Sequence, residues 1–247
     1  MTPLWLTARP IAHRGLHDKT RDVIENTASA ARAAVAGNFA IECDVQWTRD
    51  GEAVVFHDFA LERLTHGTGL VAGHDAAALA RIAFRQGAGG IMPLADYLAL
   101  IAGKVPLVCE IKSRFDGDIR LAQRTLAVVR AQSGPVAIKS FDPAIIAHLR
   151  SLRAEMPLGI VAEAHYTDPD WSHLPQALKT RLINFLHYDE TRPDFLSWHV
   201  ADFPNAVPFL FRSGLKLPVM AWTVRTGEQR ALAALWADQM VFEGFAP

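Results

Sequence analysis

The chain has 247 residues, half of them hydrophobic, and a formal net charge of −1. That composition supports a large buried core and excludes a disordered chain, while the near-neutral balance gives no electrostatic footprint for nucleic acid or an anionic membrane. An anionic substrate would therefore need a local positive site, such as a metal ion.

The N-terminal Met1-Thr2-Pro3-Leu4-Trp5-Leu6 lacks the basic head and long apolar core of a signal peptide. No apolar run approaches the ~18 residues of a membrane span. Two cysteines, Cys43 and Cys109, are too few for a disulfide scaffold. A cytoplasmic location is the expectation.

In chain order, Pro10-Ile11-Ala12-His13 reads as a first strand and the alanine-rich run from Glu25 to Ala36 as its helix. Phe39–Val45 is a second strand. Val105–Ile111, Val136–Lys139, Leu158–Ala162, Leu182–Leu186, Leu217–Ala221 and Gln239–Phe242 continue the series to eight. The segments Ile119–Ala131, Pro143–Arg153 and Thr226–Trp236 carry helical apolar spacing. Continuous apolar strands alternating with helices imply a parallel sheet covered on both faces, and at this length a closed (β/α)8 barrel of the TIM type. A doubly wound open sheet is the alternative. Residues 1–247 are expected to form one domain. The rhythm breaks over about 46–90, which reads as an insertion at the barrel mouth after the second strand, containing Val54-Val55-Phe56-His57-Asp58 and the turn-rich Thr65-His66-Gly67-Thr68-Gly69.

Two core strands carry charges. Phe39–Val45 includes Glu42 and Asp44, and Leu107–Lys112 includes Glu110 and Lys112. Buried unpaired charges cost several kcal/mol each, so something must compensate. The two-residue period puts Glu42 and Asp44 on one face with Cys43 opposite, and Glu110 and Lys112 on one face with Cys109 opposite. If the strands are neighbours, three carboxylates converge. A cation among them would be hard and oxygen-loving, Mg²⁺ or Ca²⁺; an ion-pair network with Lys112 and nearby arginines is the alternative. The cysteines are expected to be free thiols packed between strands and helices.

His13 and His57 each close an apolar run, and a pair of imidazoles near neutral pH can divide acid and base roles. His17, close by in sequence, is expected to be a plain loop residue, with contact to substrate the alternative. His66, His74, His148, His165, His173 and His199 are expected at surface or structural positions.

Together these residues resemble the glycerophosphodiester phosphodiesterase family. The resemblance rests on ordered pieces: His13-Arg14-Gly15, Glu25-Asn26-Thr27, Glu42-Cys43-Asp44-Val45, Thr48-Arg49-Asp50-Gly51, His57-Asp58, Leu61-Glu62-Arg63-Leu64-Thr65, Gly67-Thr68-Gly69, Glu110-Ile111-Lys112, Ser140-Phe141 and Trp222-Thr223-Val224. It implies a TIM-type barrel with a small insertion after the second strand. It also implies metal-dependent hydrolysis of a small-molecule glycerophosphodiester to an alcohol and glycerol 3-phosphate. Glu42, Asp44 and Glu110 would hold one divalent cation, and His13 and His57 would be general base and general acid. Arg14 and Lys112 would contact the phosphate, and Glu25 and Asn26 would support the site. Phe141 and Trp222 are plausible walls of the alcohol pocket.

The far end departs from the family pattern. Arg225 stands where the family usually has Asn, and Glu243-Gly244 replaces a Gly-Ile-x-Thr-Asp-like ending. Glu243 either supplies the missing acid or pairs with an arginine. A phosphodiester lyase or lysophospholipase D-like activity is an alternative on the same barrel, and a non-catalytic phosphodiester-binding barrel a third.

Overall fold

The computed structural model describes residues 2–247. Ten strands follow in chain order: β1 Ile11–Ala12, β2 Ala40–Trp47, β3 Ala53–Val55, β4 Met92–Pro93, β5 Leu107–Ile111, β6 Val136–Ser140, β7 Leu158–Ala162, β8 Phe195–His199, β9 Val219–Val224 and β10 Gln239–Phe242. Eight of them, β1, β2 and β5 to β10, pair in parallel, and β1 hydrogen-bonds both β2 and β10. The sheet therefore closes into a (β/α)8 barrel, the TIM-type architecture expected from the strand–helix alternation.

The helices are α1 Ala28–Ala36, α2 Ala76–Leu79, α3 Leu94–Ile101, α4 Arg120–Arg130, α5 Pro143–Ser151, α6 Gln176–Ile183, α7 Tyr188–Thr191, α8 Ala206–Phe209 and α9 Gly227–Trp236. Their starts follow local chemistry. The Thr27 side chain caps α1 by accepting from Ala30 N, Asp142 caps α5 from Ala144 N with Pro143 in the first turn, and Thr226 caps α9 from Gln229 N. None of the helices among the described residues is long and apolar enough to cross a membrane.

Strand parity sorts the core into two layers. Ile41, Cys43, Val45, Leu107, Cys109, Ile111, Ile138 and Ile160 point outward and pack under the helices. Burying a side chain of the Val, Leu or Ile class contributes about 1.5–3 kcal/mol, so this shell is the main source of stability. Cys43 and Cys109 lie in it as free, buried thiols at register-matched positions. The inward set, Ile11, Ala40, Val108, Ala137, Phe195, Met220 and Val241, fills the barrel floor with Leu6. Gly159 is part of that floor: a Cβ there would lie 2.3 Å from the Phe195 ring, so only glycine leaves room for the ring.

The insertion follows β2. β3 runs antiparallel to its end, Val45 opposite Val55 and Trp47 opposite Ala53, and β4 runs antiparallel to β3. Ile24, Phe56, Leu61, Val71, Leu79, Phe84 and Ile91 give this segment its own apolar cluster. That cluster fixes the base from which His57 projects.

One strand lies elsewhere than the sequence suggested. Leu182–Leu186 is the end of α6 and the turn after it, and the barrel strand is Phe195–His199. Leu178, Leu182 and Phe185 recur at helical spacing, and Leu182 and Phe185 are buried while Leu186 is 66% exposed. The true strand was masked by inward Ser197 and His199, polar residues that break its apolar run.

Candidate active site

The site forms where inward parity continues past the apolar floor to the C-terminal ends of the strands, the functional face of such barrels. β2 and β5 are hydrogen-bonded neighbours with Asp44 opposite Glu110. One oxygen each of Glu42, Asp44 and Glu110 lies within 4.8 Å of the others, and all three residues are buried. Three cations surround them. The Lys112 ammonium lies 2.6 Å from Glu110 Oε1 and 2.8 Å from Asp44 Oδ1. Lys139 Nζ lies 3.1 Å from Glu42 Oε1 and 3.0 Å from Glu110 Oε2, and Arg14 Nε lies 3.4 Å from Asp44 Oδ2.

Burial alone would push the Asp44 and Glu110 carboxyls up, and the cations reverse the sign. Burial opposes ionisation of Glu110, but Lys112 and Lys139 hold it down to about 2. Burial likewise opposes ionisation of Asp44, and Lys112, His57 and Arg14 outweigh it, leaving Asp44 well below the usual carboxylate range. The ion-pair network thus involves the same three carboxylates that could hold a metal ion. The donor set fits a hard divalent ion: three anionic oxygens converge, and Glu42 Oε1 is buried without a hydrogen-bond donor, its Lys139 contact being an ion pair only.

The turn after β1 delivers the flanking groups. Arg14 and Asn26 both adopt left-handed backbone, φ 56° and 58°, beside Gly15 at φ 78°. Such conformations cost about 1–3 kcal/mol each for non-glycine residues and persist where surroundings enforce them. Here Arg14 N donates to Glu42 Oε2 at 3.0 Å, and Asn26 N donates to Arg14 O at 2.8 Å. Asn26 Nδ2 then donates to Asp44 Oδ2 at 2.9 Å. Glu25 accepts from Arg14 at 2.7 Å and from Arg63 at 2.8 Å. Burial would raise its carboxyl, yet Arg63 and Arg14 lower it to about 2.

The two histidines are built alike. His13 Nδ1 lies 2.8 Å from Glu243 Oε2, and His57 Nδ1 lies 2.7 Å from Asp58 Oδ1. Asp58 in turn accepts from Arg63 and Glu243 from Arg225, at 3.0 Å in the latter case. With Nδ1 engaged by a carboxylate, Nε2 is the nitrogen free to exchange a proton; for His13 it lies 4.0 Å from Glu42.

The residues from His13 to Gly244 match the model of the glycerophosphoryl diester phosphodiesterase family. The chain belongs to that family. Its enzyme class follows: it is a phosphoric diester hydrolase. A glycerophosphodiester phosphodiesterase of Caldanaerobacter subterraneus subsp. tengcongensis is 30% identical over 169 residues, which cover 64% of this chain and 68% of that protein. Human glycerophosphodiester phosphodiesterase 1 is 45% identical over 60 residues, 24% of this chain but only 17% of its own length. Among solved structures, a phosphodiesterase of Oleispira antarctica in complex with the product sn-glycerol-3-phosphate superposes with a TM-score of 0.75. It has 21% identity and covers 94% of this chain and 91% of that one, a likeness of fold.

In this phosphodiesterase fold, a cleft of about 1200 Å³ at the barrel mouth is lined by Arg14, His57, Glu110, Lys112, Phe141 and Trp222, joining residues from the insertion to residues from the second half of the barrel. Arg14 lines it while anchored to Glu25 and Asp44. Phe141 and Trp222 meet edge to face at 5.4 Å, and Trp222 Nε1 donates to Ser197 O at 3.0 Å. Glu243 pairs with Arg225, one of the two expectations, and also partners His13. His17 lies in the loop after β1, as expected, with its side chain buried beside Glu243, 3.9 Å away. His165, His173 and His199 also line the cleft.

Sequence reasoning missed Lys139 and Glu163. Parity would have found both, because Ala137 and Val161 are inward and the next inward positions are 139 and 163.

Proposed function

We propose that this chain hydrolyses glycerophosphodiesters to an alcohol and glycerol 3-phosphate, using one divalent cation, Mg²⁺ or Ca²⁺, and His13 and His57 as the acid–base pair. The observation that carries this reading is the pairing of each imidazole Nδ1 with its own carboxylate at the edge of the buried Glu42–Asp44–Glu110 cluster. Glu42, Asp44 and Glu110 would hold the cation, which when bound supplies positive charge at the phosphoryl oxygens, where charge accumulates during attack.

The chain's own groups do the rest. Lys112 at the cluster's edge attracts the anionic diester, while Arg14 holds Glu25 and Asp44 in place. One imidazole takes a proton from the attacking water as the new P–O bond forms. The other, protonated, gives its proton to the departing alcohol oxygen as the ester P–O bond breaks, and exchange with solvent resets both rings, so protons balance over one turnover. General acid–base catalysis of this kind contributes roughly 10²–10⁴-fold. Glu243 and Asp58 keep each ring oriented through its Nδ1.

The test is product release from a panel of glycerophosphodiesters with Mg²⁺ or Ca²⁺, repeated after chelation. Glycerol 3-phosphate should appear with metal and vanish with chelator. Full activity in chelator would overturn the metal role, and no turnover of any diester would overturn the function.

A further inference from the structure

The cleft is longer than the acid–base site requires. Beyond Lys112 it continues along a wall of four rings drawn from distant parts of the chain: Phe115 after β5, Phe141 after β6, Trp171 in the loop after β7, and Trp222 on β9. Trp171 lies 4.8 Å from Phe141 and 6.2 Å from Phe115, and Phe141 lies 5.4 Å from Trp222. All four are only partly buried. A continuous aromatic surface left open to solvent beside a reaction centre is the usual form of a ligand-binding wall.

The charge at this end has one sign. Glu163 and Asp202 line it, with Asp168 and Asp170 at the rim. The fixed cations lining the cleft are Arg14, Arg63 and Lys112, committed to the acid cluster and its supports, and Arg114, whose guanidinium stacks 4.1 Å over Phe59 of the insertion. The imidazoles near the acids are those of His199, 3.4 Å from Asp202, and His165, 3.8 Å from it, while His173 lies against Phe115. No basic side chain among the described residues comes within ion-pair distance of Glu163. Its carboxyl is pushed up to about 7 by burial, partly offset by Trp171, with Asp202 adding to the rise. A half-buried carboxylate without a counter-ion beside open aromatic faces is the signature of a site completed by a cation from outside.

We propose that Phe115, Phe141, Trp171 and Trp222, with Glu163 and Asp202, form a subsite for an ammonium-bearing head group on the alcohol side of the diester. This rests on the phosphodiesterase reading, since it takes that reaction to place the phosphate at Lys112. The anionic phosphate then sits at the cationic end and the cationic head group at the acidic aromatic end. A neutral alcohol gains apolar contact but leaves Glu163 uncompensated, and an anionic head group is repelled.

The experiment compares glycerophosphocholine with the 3,3-dimethylbutyl ester of glycerol 3-phosphate, which has the same shape with carbon in place of nitrogen. We expect kcat/KM to favour the choline ester at least tenfold, and Glu163→Gln to bring that ratio toward one. In parallel, choline and 3,3-dimethylbutanol are titrated into the wild-type protein and followed by tryptophan fluorescence, which requires no catalysis. Choline should give the larger, saturable change. Equal kcat/KM for both esters in the wild-type enzyme would overturn the subsite and leave the phosphodiesterase reading intact. No turnover of either ester would overturn that reading instead, and identical titrations by the two alcohols would overturn the subsite independently of it.

Discussion

The two ends of the cleft handle charge in opposite ways. At the end built by β1, β2, β5 and β6, every buried carboxylate has a cationic partner within the chain: Glu42 has Lys139, Asp44 has Lys112, and Glu110 has both. At the end built by the loops after β5, β6 and β7 and by β9, Glu163 has none and aromatic faces stand open. The first end is electrostatically complete before any diester arrives, so its ionised state is set by the fold. The second is incomplete, so its charge answers to what binds. Pre-organisation of this kind suits chemistry, where reorganisation raises the barrier, and an unfilled counter-charge suits selection among substrates.

The largest test of that contrast is at the histidines. His13→Ala and His57→Ala should each lower kcat by roughly 10²–10⁴-fold in a glycerol 3-phosphate release assay. Wild-type turnover in both variants would remove them from the mechanism.

Lys139→Met probes the completeness of the acidic end. It strips a buried cation from Glu42 and Glu110, and removing one partner of a buried pair typically costs about 3–5 kcal/mol. The loss should appear in urea unfolding with chelator present and should largely recover when Mg²⁺ or Ca²⁺ is added, because the added cation replaces the missing charge. Equal stability with and without the ion would break the idea that lysine and metal serve the same carboxylates.

A smaller effect is expected from Glu243→Gln, which keeps the shape but removes the charge beside His13. Turnover should fall about tenfold, ~1.4 kcal/mol in barrier, with KM nearly unchanged, as suits a positioning residue. A change confined to KM would place Glu243 in binding instead.

Acid should undo the acidic end gradually. The carboxyls of Glu25 and Glu110 are held near 2, below their ordinary value of 4.5. A depressed folded-state value means that the stabilisation is present above about pH 4.5 and drains as pH falls toward 2. Urea midpoints measured in chelator at pH 5, 4 and 3 should therefore decline, and a flat series would contradict the ion-pair account.

Much of the acid–base end was legible in the linear chain. Glu42, Asp44 and Glu110 stand out as charges inside apolar strands, and a period of two is enough to set them on one face, as the Asp44–Glu110 register bears out. The pairing of His13 with Glu243 was not legible, since 230 positions separate them and barrel closure brings β1 against β10. Strand Phe195–His199 is hidden in the sequence because two of its three inward side chains, Ser197 and His199, are polar, and hydrophobic patterning reads burial in apolar surroundings rather than burial in a polar site.

The sequence by itself determined the alternation of strand and helix, the facing of the carboxylates and the family motifs, because these depend on residues a few positions apart. Only the tertiary structure decided that Lys139 joins the acid cluster and that Glu163 shares one cleft with four rings spread from Phe115 to Trp222. Those contacts are made by closing the barrel, and closure joins positions between which neither periodicity nor spacing carries information.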